Sequence, residues 1–136
     1  MLRVLVDADN VSPIRLQPVL DVLVAARVPI QLTASGRQGA LDDLHWPTGA
    51  QLLAHTGWQR ADVALARQYR PTSDPLLLVS GDGDFALLAA RHPAPVLVIS
   101  GAASQRLREV AMTVDPAVEG LQPVRDWLRA QGLTPA

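Results

Sequence analysis

The 136-residue chain contains no cysteine, which excludes a disulfide framework and any metal site built on thiolates. It contains no lysine either, so all 12 basic residues are arginines, and Glu109 and Glu119 are the only glutamates among 13 acids. No stretch reaches the ~20 consecutive apolar residues of a membrane-spanning helix. Because residues 1–9 carry aspartates where a secretory signal has its apolar run, we expect a cytoplasmic protein with no membrane partner.

The composition is that of a folded globular protein, since 49% of the residues are apolar and 18% are charged. The length predicts a single domain over residues 1–136 that buries roughly two-thirds of its unfolded surface. The net charge is −1, and setting aside the five aspartates of the motifs below leaves +4. This distribution is typical of an acidic metal cluster flanked by arginines that contact phosphate.

Apolar runs alternate with amphipathic stretches along the chain. The apolar runs predict strands at 2–6, 29–34, 50–55, 76–80, 96–100 and, as a short edge strand, 112–114. The amphipathic stretches predict helices at 13–27, opened by Ser12-Pro13, and at 40–44, 60–69, 85–91, 104–111 and 121–128. This alternation predicts a three-layer α/β fold with a mostly parallel central sheet flanked by helices. In such sheets, ligands bind beyond the carboxyl ends of the strands.

Aspartates follow two of the predicted strands. The first strand ends in Asp7-Ala8-Asp9, and the strand at 76–80 ends in Gly81-Asp82-Gly83-Asp84, so each delivers two carboxylates to the same edge of the sheet. Asp62 shares a face of its predicted helix with apolar residues three and four positions later, which directs it inward. The five carboxylates are therefore expected to converge.

Converging carboxylates repel one another unless a divalent cation neutralises them. Ligands that are all oxygen favour Mg²⁺ or Mn²⁺ over zinc, and Mg²⁺ suits phosphodiester hydrolysis because it activates water and stabilises the leaving oxygen. The predicted metal ligands are Asp7, Asp9, Asp62, Asp82 and Asp84. The alternative for a single aspartate is a cap, of a turn for Asp9 or of the helix near residue 85 for Asp82 or Asp84.

At these residues the chain resembles the NYN domain family, a branch of the PIN-like metal-dependent nucleases. The matching segments are VLVDADN at 4–10, ADVALA at 61–66 and LVSGDGDF at 78–85, and the resemblance extends from residue 2 to about 115. It implies a single PIN-like α/β domain that depends on Mg²⁺ or Mn²⁺ and cleaves RNA. By this resemblance the catalytic acids are Asp7, Asp62, Asp82 and Asp84. Asn10 corresponds to the polar residue beside the first acid and Ser80 to the one preceding the Gly-Asp turn, and both are expected to contact the substrate.

The chain departs from the family pattern at two places. Members often carry another acid about two turns beyond Asp62, where this chain has Arg67-Gln68-Tyr69, and often a lysine just before that motif, where this chain has Gln59-Arg60. The first departure motivates an alternative function, a non-catalytic module that binds RNA or protein. A homodimer is left open.

Arginines and aromatic residues are the predicted contacts to RNA, because they hold single strands through phosphate contacts and base stacking. The arginines are Arg15, Arg37, Arg60, Arg67 and Arg70. Trp46, which precedes a proline in a loop-like stretch, is expected to be exposed, whereas core packing is expected for Trp58 and Tyr69. The three histidines are not spaced in the sequence as metal ligands usually are. We expect them either at the surface or in the core with their ring nitrogens hydrogen-bonded.

A haloacid-dehalogenase-like phosphatase is the other enzymatic reading. Asp7-Ala8-Asp9 resembles the nucleophile and acid pair of that class, Ser35 ends the next strand, and Gly81-Asp82 resembles its metal loop. That chemistry normally uses a lysine to hold the phosphoryl group, and this chain has none. The nuclease hypothesis is therefore preferred.

Overall fold

A six-stranded parallel sheet forms the centre of the computed structural model, which describes residues 1–55 and 61–134. Its strands are β1 (Leu2–Asp7), β2 (Ile30–Arg37), β3 (Gln51–His55), β4 (Leu76–Val79), β5 (Val96–Ile99) and β6 (Met112–Val114). The order across the sheet is β3-β2-β1-β4-β5-β6, and every neighbouring pair is parallel. The predicted α/β architecture with a parallel sheet is confirmed.

Helices connect the strands and cover both faces of the sheet. They are α1 (Pro13–Ala25), α2 (Gln38–Asp42), α3 (Ala61–Gln68), α4 (Ala86–Arg91), α5 (Gln105–Val110), α6 (Pro116–Glu119) and α7 (Gln122–Ala130), with a 3₁₀ turn at Gly83–Phe85 before α4. The first helix begins as predicted, with Ser12 at its N-cap and Pro13 in its first turn, and it continues through Pro18. None of the described helices is long and apolar enough to cross a membrane.

Alternate side chains of the central strands enter two separate apolar cores, because successive residues of a strand point to opposite faces. On one face, Val6 packs in a cluster with Leu20 of α1 and with residues of α7. On the other face, Leu5 and Leu78 pack in a cluster with Leu65 of α3 and with residues of α4 and α5. The two cores and the sheet between them make the three layers.

The strand order reverses direction between β1 and β4. The chain moves outward from β1 to β3, and α3 then carries it back across the sheet to β4, on the other side of β1. A crevice forms at such a switch point, outside the carboxyl ends of the two central strands. The residues that end β1 and follow β4 therefore lie where this class of fold binds its ligands.

Two local predictions differ from the structure. The second strand was expected to end before Ser35, but it continues to Arg37, because Ser35 pairs with both β1 and β3 and the two residues after it pair with β3. The short helix α6 was not predicted. The Asp115 side chain caps it by accepting a hydrogen bond from the Ala117 amide (3.0 Å), and Pro116 follows at its first position.

The buried centre of β4 should carry a large share of the stability. Leu78→Ala removes a side chain that is 0% exposed, and we expect the free energy of unfolding to fall by about 2–5 kcal/mol because a cavity remains. The matched control is Leu87→Ala, at a leucine that is 57% exposed, with an expected change below about 0.5 kcal/mol. Urea denaturation measures both, and equal losses would contradict the two-core packing.

Candidate functional site

A row of buried polar side chains crosses the carboxyl edge of the sheet. Asp7 pairs in register with Ser35 of β2, while Ser80 and Ser100 directly follow β4 and β5. Because Val6 pairs with Val79 and Val79 with Ile99, the order along the row is Ser35, Asp7, Ser80, Ser100. All four residues are buried. The apolar strands thus end together in oxygen-bearing side chains at the switch point.

Asp7 is the centre of this row and is 0% exposed. Its Oδ2 accepts hydrogen bonds from the Asn10 side-chain amide (2.5 Å) and from the Ser80 hydroxyl (3.0 Å). The same hydroxyl accepts a hydrogen bond from the Asp82 amide (3.1 Å). Ser80 therefore links the acid at the end of β1 to the acidic turn after β4, and Asn10, which was expected beside the first acid, does lie beside it.

The Asp82–Asp84 turn forms a cap. Asp82 Oδ1 accepts a hydrogen bond from the Asp84 amide (2.9 Å), and the Asp82 carbonyl accepts one from the Phe85 amide (3.1 Å). Asp82 is half-buried and Asp84 is exposed. The capping role that the sequence offered as an alternative is therefore present at Asp82, on a side chain that also lies at the predicted acidic edge.

The acidic cluster is described only in part. The backbone of Asp62 lies in the first turn of α3, which packs against β1 and β2, but its side chain is outside the described structure. Among the side chains described in residues 1–55 and 61–134, which do not include that of Asp62, no three or more from histidine, aspartate or glutamate group closely enough to hold a metal ion. Asp7 and Asp82 are the predicted metal ligands that the structure joins across the two strands, through Ser80.

The two glycines of the acidic turn, Gly81 and Gly83, pack closely against the residues that follow β5. A Cβ on Gly81 would lie 2.6 Å from the Ser100 hydroxyl and 2.9 Å from the Ala102 carbonyl oxygen, and one on Gly83 would lie 2.9 Å from the Ser104 hydroxyl. Contacts this short leave no room for a side chain. The turn after β4 is therefore pressed against the loop after β5, with Asp82 held between two glycines.

Asp9 makes contacts different from those of Asp7. Its Oδ1 accepts a hydrogen bond from the Arg37 amide (2.9 Å), and its Oδ2 lies 2.9 Å from Nε2 of His55. Gly36 permits this approach, since a Cβ there would lie 2.9 Å from the Cβ of Ala8. Asp9 thus ties the loop after β1 to the ends of β2 and β3. Its role as a metal ligand stays a prediction.

His55 is a site residue that the sequence analysis missed. It is buried at the last position of β3, and within the described part of the chain its Nδ1 has no hydrogen-bond partner. The residues that contact it are distant in sequence, so histidine spacing gave no signal. Its position at the carboxyl end of a predicted strand, like that of Asp7, was the available clue.

Two of the predicted arginines lie at the carboxyl edge. Arg37 ends β2 and is exposed. Arg15 lies over Gly101, where a Cβ would overlap its guanidinium, and its Nε pairs with Asp115 (3.0 Å). In the order of the strands, Arg37 and Arg15 therefore lie on opposite sides of the two acidic strand ends.

Among the residues that the structure describes, the other predicted contacts do not join this site. Arg67 is exposed in the last turn of α3, and Arg70 donates to the Arg67 and Tyr69 carbonyls. Trp46 was expected to be exposed, but it is half-buried against the α1-side core and donates from Nε1 to the Leu41 carbonyl (2.8 Å). A buried indole N–H needs such a partner, and this hydrogen bond lets Trp46 pack against the core instead of being exposed as expected. Arg60 and Trp58 lie outside the described residues.

Comparisons with known proteins establish the fold and nothing finer. No protein-family model and no curated protein matches the chain. Among solved structures, the chain is similar to the crystal structure of a protein of unknown function from Vibrio parahaemolyticus RIMD 2210633, with a TM-score of 0.52 and 21% identity over 84% of this chain and 92% of that one. At this identity the similarity supports the three-layer α/β architecture alone.

The packing of the acidic turn predicts a contrast between two glycines. Gly81→Ala should lower the free energy of unfolding by about 1–3 kcal/mol, because the new methyl group would overlap the Ala102 backbone. Gly39→Ala, in α2 with no atom within 4 Å of the new Cβ, should leave stability unchanged or raise it by up to about 1 kcal/mol. Thermal denaturation of the two variants tests the contrast, and a harmless Gly81→Ala would contradict the packing.

Proposed function

We propose that the protein is a Mg²⁺- or Mn²⁺-dependent ribonuclease related to the NYN branch of the PIN-like nucleases. The proposed catalytic acids are Asp7, Asp62, Asp82 and Asp84. The observation that carries the proposal is the buried Asp7 carboxylate, joined through the Ser80 hydroxyl to the Asp82 amide across the switch point. Two acidic strand ends are thereby held together where α/β sheets bind ligands. The proposal includes the cytoplasmic location expected from the sequence.

The donors at this edge are oxygen atoms of carboxylates, a hydroxyl and an amide. This donor set fits Mg²⁺ or Mn²⁺, which prefer oxygen ligands, and Asp7 and Asp82 would hold the ion together with Asp62 and Asp84. A bound ion would supply an activated water and stabilise the departing oxygen of a phosphodiester. Asp9, whose oxygens face Arg37 and His55, is the least suited of the five predicted ligands.

Residues of the chain itself would orient the acids and the substrate. Asn10 and Ser80 fix the carboxylate of Asp7 by donating hydrogen bonds to it, which sets the direction of its oxygens. Arg37 and Arg15 flank the acids from opposite sides in strand order. Neighbouring strands lie about 4.8 Å apart, so β2 and β5, three strand spacings apart, place the two arginines on the order of 14 Å from each other, with the acids between them. We assign them the backbone contacts to RNA.

A non-catalytic RNA-binding module is the second candidate. It is favoured by the lack of an acid at 67–69, where the related nucleases often have one. Such a module would keep the arginines and the fold while failing to turn over its ligand. The two candidates differ in one measurable property, the cleavage of bound RNA.

The ribonuclease proposal predicts metal-dependent cleavage of labelled single-stranded RNA. Cleavage in Mn²⁺ should stop in EDTA, and Asp82→Asn should lower its rate about a hundredfold or more, because a ligand charge is lost while the side-chain shape is kept. The matched control is Asp126→Asn, at an exposed aspartate of α7 whose contacts are Gln122 and Arg129, and its rate should equal that of the wild type.

Each result has a distinct meaning. Tight RNA binding without cleavage would favour the non-catalytic module, and cleavage that survives Asp82→Asn would contradict the assigned site. Circular dichroism of both variants controls for folding. A phosphate covalently attached to Asp7 after incubation with a phosphomonoester would instead support the phosphatase reading.

A further inference from the structure

An apolar groove lies between α3 and α4 and begins at the acidic turn. Its volume is about 600 Å³, within the usual range of ligand pockets. The groove is lined mainly by Val63, Ala66, Tyr69, Phe85 and Leu87, with Asp84 and Arg91 as its charged residues. We call it the α3–α4 groove. It is separate from the row of polar side chains at the edge of the sheet, and Asp84 of the acidic turn is the residue that it shares with the predicted metal ligands.

The groove exposes large apolar side chains that the fold leaves uncovered. Val63 is 43% exposed on α3, and Leu87 is 57% exposed on α4. Phe85, by contrast, is buried in the core beneath α4 and gives the groove a fixed floor. Exposed apolar surface next to a polar site commonly marks a place where a ligand binds.

The groove is also preformed on its Tyr69 side. The Tyr69 hydroxyl lies 2.8 Å from Nδ1 of His92, and Nε2 of His92 lies 2.7 Å from the Asp74 carbonyl oxygen. Since a carbonyl can only accept, Nε2 carries the proton and Nδ1 accepts from Tyr69. Burial raises the pKa of Tyr69, a direction that favours the hydroxyl form of this donor. The tyrosine ring is therefore held in place before any ligand arrives.

The two charged residues of the groove lie at opposite ends of its α4 side. Asp84, a proposed metal ligand, precedes α4 at the acidic turn, and Arg91 is the last residue of α4, with apolar lining residues between them. In the proposed function, the ion at Asp84 would bind the scissile phosphate. The six residues of α4 span about 9 Å, enough to separate a base from the next phosphate. Apolar and aromatic walls accept the faces of any base.

We propose that the α3–α4 groove is a subsite for one unstacked nucleobase of the bound RNA, and that Arg91 contacts the phosphate beyond it. This inference rests on the proposed ribonuclease function and deepens it, because it adds a base-binding site to the acidic edge. It identifies Leu87 and Val63 as contacts to the base. A second copy of the chain is the competing occupant of the same apolar surface.

The experiment compares two ligands of equal charge, an oligouridylate and an abasic oligomer of the same length. Binding is measured by fluorescence anisotropy to the Asp82→Asn protein in Mg²⁺, so that cleavage does not interfere. The oligouridylate should bind about tenfold more tightly than the abasic oligomer. Adding Leu87→Asp should abolish this difference, whereas adding Val118→Asp, at a residue that is 80% exposed on α6, should preserve it.

Three outcomes would overturn the subsite. They are equal binding of the two oligomers, a preference for bases that survives Leu87→Asp, and a dimer in light scattering that Leu87→Asp dissociates without changing RNA binding. The last result would assign the groove to a second copy of the chain. A base preference that depends on Leu87 in a protein that never cleaves RNA would refute the ribonuclease proposal while supporting the subsite.

Discussion

The hydrogen bond between the Asp7 carboxylate and the Ser80 hydroxyl is the contact on which the rest of the site depends. It joins the ends of two neighbouring strands at the point where the strand order reverses, on a carboxylate that is completely buried. A buried carboxylate is costly unless hydrogen bonds or a cation compensate it. The requirement to satisfy Asp7 therefore fixes the loop after β1 and, through Ser80, the acidic turn after β4.

The α3–α4 groove and the acidic edge share this organisation. Asp82 caps the 3₁₀ turn that leads into α4, so the same backbone that presents Asp84 at the edge also determines where Phe85 and Leu87 stand in the groove. A change in the turn would consequently alter both surfaces. This coupling gives a physical reason to consider the proposed metal ligands and the proposed base subsite as parts of one surface.

Much of the fold could be predicted because apolar runs of strand length are strong local signals. The run 76–80 predicted a strand buried on both faces, and the parallel arrangement then brought Asp7 beside Ser80. What the sequence could not supply were contacts between distant segments. The extension of β2, the Asp9–His55 pair and the packing of Trp46 each depend on neighbours that only the folded sheet provides.

The central claim is that Asp7 and Asp82 bind a divalent ion, and anomalous scattering from crystals soaked in Mn²⁺ tests it most directly. The account predicts one strong anomalous peak about 2.0–2.3 Å from carboxylate oxygens of both residues, the distance expected for oxygen ligands of such ions. A map with no peak at the carboxyl edge of β1 and β4, from crystals in which Mn²⁺ reaches the solvent channels at millimolar concentration, would contradict it.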